Sequence, residues 1–205
     1  MPDFVFEYEA IAEGLSPVAG VDEAGRGPWA GPVVAGAVIL DPETLPDALR
    51  HGLDDSKKLK ADKRVTLFDL LGRHAITGVG IADVEEIDSL NILAATMLAM
   101  TRAVEDLNIK PGMILVDGNR LPDWSYPCEA LVKGDGRSLS IAAASIVAKV
   151  TRDRIMTDLS EIHPGYGWQK NAGYGTKLHQ QGLAEFGVTE HHRRSFKPIR
   201  RILES

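Results

Sequence analysis

The chain has 205 residues, 44% of them apolar and 25% charged. That balance allows one substantial domain with a real core and excludes a disordered chain, a collagen-like chain or a coiled-coil fibre. No run approaches the ~20 apolar residues of a bilayer span, the opening is acidic (Asp3, Glu7, Glu9, Glu13), and Cys128 is the only cysteine, so a cytoplasmic protein without membrane segments, disulfide or multi-cysteine zinc motif is expected.

Residues 18–21 and 32–40 are apolar, β-branched runs that read as strands joined by the Gly- and Pro-rich segment 24–31. Residues 45–71 start polar and then read as a short helix capped by Asp55 or Ser56, and residues 74–82 form a third strand. Asp83, with Glu86 three residues on, caps a helix in which Ile87, Leu90, Ala94, Met97, Leu98, Thr101 and Val104 recur at helical spacing, ending before Pro111. Residues 113–116 (MILV) are a short strand of the kind buried on both faces, and residues 129–133 resemble another. Ser138 or Ser140 caps a second helix running toward Leu159, its alanines allowing close packing against a sheet. From His163 onward the chain is polar, Gly-rich and helical near its end. The alternation describes an α/β domain with a mixed sheet over residues 1–162, with residues 163–205 as an extension packed on it.

Charge divides along the same line. Residues 163–205 carry seven lysines and arginines against three acids, a balance of +4, which leaves −10 for the rest of a chain whose net charge is −6. An acidic body with a basic extension fits a cation site beside a polyanion surface, and a plain solvated basic face fits the charge count equally well.

Asp22-Glu23 follows the first strand, Asp117 follows residues 113–116, and Asp135 lies in Gly134-Asp135-Gly136 between a strand and a helix. Ligands of α/β proteins gather at such strand ends. Carboxylates brought together there repel one another unless a divalent cation joins them, and all-oxygen ligation favours Mg2+ or Mn2+ over zinc. Neighbouring strand residues face opposite ways, so for Asp22 and Glu23 to share a site the strand is expected to bend or bulge, with Gly25 and Gly27 supplying freedom. Taken singly, Asp22-Glu23 reads as a turn as readily as a site, and Asp117 and still more Asp135 read more readily as turn residues.

Other chemistries find no support. The sequence has no GxxxxGK[ST], HExxH or GxSxG, residues 25–31 lack GxGxxG spacing, and Cys128 has no activating neighbour. His191-His192, set among arginines, is expected to contact phosphate or lie on a solvated face rather than bind metal.

Val21-Asp22-Glu23-Ala24-Gly25-Arg26-Gly27-Pro28, followed by Ala30-Gly31-Pro32-Val33-Val34, closely resembles the opening signature of bacterial ribonuclease HII. The resemblance continues in order through Asp55-Ser56-Lys57-Lys58-Leu59, Asn91-Ile92-Leu93, Val116-Asp117-Gly118, residues 140–149 (SIAAASIVAK), Gly173-Tyr174-Gly175-Thr176-Lys177 and residues 192–198, covering about residues 18–201. Trp29 departs from the pattern, standing where a smaller aliphatic residue is expected, and residues 1–17 match nothing in particular.

This resemblance implies a ribonuclease H-like mixed five-stranded sheet flanked by helices, with a small helical C-terminal extension. It implies an endonuclease that cleaves RNA in RNA/DNA hybrids and nicks duplex DNA 5′ to a single embedded ribonucleotide, leaving 3′-hydroxyl and 5′-phosphate ends. Asp22, Glu23, Asp117 and Asp135 would be catalytic and hold two Mg2+ or Mn2+ ions. Gly25, Arg26 and Gly27 would grip the ribonucleotide, Tyr174 would pack on the next sugar, and Lys57, Lys177 and Arg194 would contact phosphate. The chain is expected to act as a monomer, and its C-terminal Leu203-Glu204-Ser205 offers no obvious peptide for a sliding clamp.

Overall fold

The computed structural model describes residues 1–204. In chain order the elements are α1 (Val5–Ala12), β1 (Val18–Ala24), β2 (Val33–Ile39), α2 (Asp47–Arg50), α3 (Ala61–His74), β3 (Ile76–Ala82), α4 (Val84–Leu90), α5 (Ile92–Glu105), β4 (Met113–Asp117), β5 (Cys128–Leu131), a 3-10 turn (Gly134–Gly136), α6 (Leu139–Ile162), α7 (Trp168–Asn171), α8 (Lys177–Phe186) and α9 (Lys197–Leu203). The strands make one mixed sheet in the order β3-β2-β1-β4-β5. β2 runs antiparallel to β1 and β3, while β4 runs parallel to both β1 and β5.

Helices cover both faces, which is why β2 is apolar along its whole length and wholly buried. On one face α5 supplies Ala95, Ala99, Met100, Ala103 and Val104 to a core with Val21, Val33, Ala35 and Val116. On the other, α6 supplies Leu139, Ala142, Ala143, Ile146 and Val147, packed with Leu67 and Leu71 of α3. The approach of α6 is close enough that a Cβ on Gly20 would lie 2.1 Å from the Ser140 backbone, so β1 accepts no side chain there.

Several elements differ from expectation. The helix expected to run unbroken from Val84 is two helices. Asn91 sits at φ 76°, ends α4 and caps α5 through its Oδ1, which accepts from the N–H groups of Leu93 (3.0 Å) and Ala94 (3.2 Å). Asparagine tolerates that backbone and its side chain satisfies the new helix end, so the apolar period continues across the break. The Asp83–Glu86 capping box forms as read, and Ser138 is the residue that caps α6, its Oγ accepting from Ile141 N–H at 3.2 Å. The helix placed after Ser56 starts only at Ala61 and runs through His74, taking the first residue assigned to the third strand. Ser56 is buried, its N–H on Ser145 Oγ at 3.3 Å. The last strand ends at Leu131, because Lys133 turns to φ 57°.

The C-terminal segment forms α7, α8 and α9. Tyr166, Trp168, Leu183 and Ile199 pack with Ala30 and with Met156 of α6. Among the described residues no helix is long and apolar enough to cross a membrane.

Candidate active site

The parallel register of β1 and β4 sets Val21 beside Val116, so the next residues, Asp22 and Asp117, stand side by side where the pairing of these two strands ends, β4 stopping at Asp117 while β1 runs on to Ala24 rather than stopping at Val21 as expected. Asp135 arrives from the 3-10 turn beyond β5. That turn is tied to Asp117, whose Oδ1 accepts from Gly134 N–H at 2.7 Å. Carboxylate oxygens of Asp22, Asp117 and Asp135 all lie within 4.8 Å of one another.

The charges are mutually unfavourable without a cation. Burial pushes the Asp22 carboxyl well above its usual range, and the neighbouring Glu23 and Asp117 push it further. Burial and then Asp117 raise Asp135 in the same way. Lys57 feels the cluster from outside: burial works against its charge, but Asp22, Asp55, Asp135 and Asp117 outweigh that and raise its pKa. Three anionic oxygen donors converging from two neighbouring strands and the adjoining turn suit Mg2+ or Mn2+.

Glu23 is not part of that trio. The expected bulge is absent: β1 pairs with β2 in one uninterrupted register from Ala19 to Ala24, so strand alternation holds and the turn comes afterwards, at Gly25 with φ 99°. Asp22 is buried and Glu23 half-buried, its Oε1 accepting from Arg26 at 3.3 Å. Burial raises the Glu23 carboxyl, and Arg26 offsets part of that rise.

Beside the carboxylates lies a groove of ≈ 480 Å³ lined by residues 23–27, Ser56, Lys57, Arg64, Lys149, Arg152 and Tyr174. Arg26, Lys57, Arg64, Lys149 and Arg152 put five basic side chains on its walls. Tyr174 is half exposed, and its ring lies over Gly27, where a Cβ would come within 3.2 Å of the ring. Lys177 and Arg194, both exposed, do not line this groove, and Arg194 N–H is bound to Asp88 at 2.8 Å.

Two buried arginines hold the loop 25–32, and sequence reasoning missed both. Arg193 donates to the carbonyls of Gly25 (2.6 Å), Arg26 (3.0 Å), Gly31 (2.9 Å) and Pro32 (3.1 Å). Arg152 donates to Pro32 (2.9 Å), Ala172 (3.0 Å) and Ala30 (3.2 Å), and a Cβ on Gly25 would strike its guanidinium. Burial lowers their pKa values to about 9 and about 10, so both stay charged at neutral pH. Arg193 neighbours Arg194, and adjacent arginines give no sequence signal of which one turns inward.

The His191-His192 expectation also needs correction, because His192 is fully buried. Its Nδ1 accepts from Thr189 N–H at 3.0 Å, so the proton is on Nε2, which donates to His179 Nε2 at 3.1 Å. His179 Nε2 also accepts from Trp168 Nε1–H at 3.1 Å, leaving its Nδ1–H to donate to the Tyr174 carbonyl at 3.0 Å. A neutral histidine pair thereby fixes the backbone that carries Tyr174. Trp29, the departure from the family pattern, covers Gly175 and joins the two motif segments, its N–H on the Gly173 carbonyl at 2.8 Å.

The family model for Ribonuclease HII matches residues 19–199. A Ribonuclease HII of Ruegeria pomeroyi is 57% identical over 203 residues, covering 98% of this chain and 85% of that protein. The solved ribonuclease H2 of Pyrococcus horikoshii superposes with a TM-score of 0.76 at 31% identity, covering 91% of this chain and 97% of the other. The ribonuclease HII in a solved complex with PCNA from Archaeoglobus fulgidus gives a TM-score of 0.72 at 27% identity, over 88% and 95% of the two chains. With a family model spanning most of its length and a relative matching nearly all of it, the chain belongs to the ribonuclease HII family.

Proposed function

We propose that this enzyme hydrolyses the RNA strand of RNA/DNA hybrids and nicks duplex DNA on the 5′ side of a single embedded ribonucleotide. The observation that carries this reading is the convergence of Asp22, Asp117 and Asp135 within 4.8 Å, next to a loop and a tyrosine that can inspect one sugar.

Asp22, Asp117 and Asp135 would hold divalent metal, Mg2+ or Mn2+. When bound, such ions supply Lewis-acid stabilisation of the attacking and departing oxygens of an in-line displacement at phosphorus. The bond broken is that between phosphorus and the 3′ oxygen, which leaves a 3′-hydroxyl and a 5′-phosphate.

Glu23 begins paired with Arg26, whose side chain is half exposed. A substrate phosphate that takes Arg26 leaves the Glu23 carboxylate free at the wall of the groove. Lys57, already drawn by the carboxylates, holds a backbone phosphate at the mouth of the site. Arg64 and Lys149 extend that contact along the groove without reading sequence.

Selection for a ribose rests on the 2′-hydroxyl, the group that separates RNA from DNA at every base. The backbone of Gly25, Arg26 and Gly27 comes close because two of these residues lack side chains and because Arg193 holds its carbonyls. The Tyr174 ring packs on the adjoining sugar, where a 2′-hydroxyl would be crowded. Lys177 and Arg194 serve as more distant phosphate contacts.

Substitution Asp117→Asn tests the assignment. The variant keeps the fold, because the amide oxygen still accepts from Gly134 N–H, and it loses cleavage by a factor on the order of 1,000 or more. A variant cleaving at near wild-type rate would remove Asp117 from the chemistry.

A further inference from the structure

A second group of metal-ligating side chains lies at the far end of α6, apart from the carboxylate trio. His163 closes α6, and Glu190 and His191 belong to the segment that leads into Arg193. One donor atom from each lies within 4.8 Å of the other two. Glu190 Oε1 is 3.5 Å from His163 Nε2 and 3.7 Å from His191 Nε2. Four ligands placed tetrahedrally at zinc distances are about 3.3–3.4 Å apart, so these spacings need only a small inward adjustment.

His163 Nε2 is itself unexplained. The atom is buried and has no hydrogen-bond partner, the nearest Glu190 oxygen standing off at 3.5 Å. Buried ring nitrogens are ordinarily satisfied, and a nitrogen set near a carboxylate and a second imidazole lacks the one thing that would join all three. Glu190 is exposed, which leaves solvent access for entry and for a fourth, water ligand.

We propose that His163, Glu190 and His191 form a binding site for one Zn2+ ion, distinct from the carboxylate centre. Two imidazole nitrogens with one carboxylate oxygen suit zinc and disfavour Mg2+, whose ligands are oxygen. The ion clips the C-terminus of α6 to the segment before Arg193. His191 also accepts the Gly31 N–H on its carbonyl at 2.9 Å, so the clip reinforces the support of the 25–32 loop from behind. The inference does not depend on which substrate the enzyme cuts.

The test uses Co2+ and Zn2+ as probes on the full chain, with excess Mg2+ present to occupy the carboxylates. Wild type and Asp117→Asn are expected to take up one Co2+ per chain with the intense visible bands of tetrahedral nitrogen ligation, displaced by one equivalent of Zn2+. Zn2+ at about 100 times its Kd is expected to raise Tm by roughly 5–10 °C. His163→Gln and His191→Gln lose both the bands and the Tm shift. Glu190→Gln, altered at an exposed side chain and so able to fold, weakens Zn2+ at least tenfold. Absence of the bands in wild type, or bands and shift unchanged in Glu190→Gln and His191→Gln, would overturn the proposal.

Discussion

The Arg193 guanidinium donates to the carbonyl of Gly25 at 2.6 Å, joining residues 168 positions apart and fixing the loop that lies over the candidate active site. The same side chain reaches three further carbonyls and has no carboxylate partner among them. A lysine at that position cannot reproduce a planar fork. Arg193→Lys should therefore strand buried carbonyls and cost about 2–4 kcal/mol in denaturant unfolding. Cleavage at a lone ribonucleotide should fall on the order of 10–100-fold as the loop loosens. Wild-type stability together with wild-type cleavage would contradict this role.

Glu7 gives a second prediction, on stability alone. It is 2% exposed, and its Oε1 accepts from Ser138 Oγ and Ser140 Oγ at 2.6 Å each and from Ser140 N–H at 3.0 Å. The carboxylate thus satisfies the start of α6 from outside the helix. Glu7→Ala should cost about 2–4 kcal/mol and Glu7→Gln less, measured by urea unfolding. Equal stability of all three chains would show that α1 adds nothing to α6.

The histidine pair gives a pH prediction. Burial, with the neighbouring His179, lowers the His192 pKa to about 4, and burial lowers His179 as well. Above the ordinary imidazole value of about 6.5 both folded and unfolded chains are neutral here and stability is independent of pH. Below it the unfolded chain takes up protons that the folded chain refuses, so stability falls as pH falls toward 4, by at most about 1.4 kcal/mol per pH unit for each proton. Raised carboxyls at the active site act in the opposite sense, so the readout is the difference between wild type and His192→Gln. That difference should shrink from pH 6.5 down to 4.5. A constant difference would show that His192 is not held neutral.

How much of this was legible in the sequence follows from physical causes. Asp22 and Asp117 announce themselves because the first apolar run and MILV stop abruptly at acids, although β1 itself continues through Glu23 to Ala24. The capping residues Asp83 and Ser138 are equally local signals. α1 left no such signal, since its pattern is inverted: Glu7 is buried while Val5 and Tyr8 are exposed. The break at Asn91 hides because the helical period runs through it. The place of Glu23, the choice between Arg193 and Arg194, and the tautomers of His179 and His192 depend on contacts between segments far apart in the chain. No local pattern encodes those.

The measurement that tests the central claim most directly is the position of the cut. An end-labelled DNA duplex bearing one ribonucleotide would be compared with an all-DNA duplex and an RNA/DNA hybrid, each with Mg2+, with Mn2+ and with chelator. The account predicts a metal-dependent nick immediately 5′ to the ribonucleotide, cleavage of the hybrid, and an intact all-DNA duplex. Cleavage of the all-DNA duplex, or cutting of the hybrid alone, would contradict recognition of a single ribose by the Gly25–Gly27 loop and Tyr174.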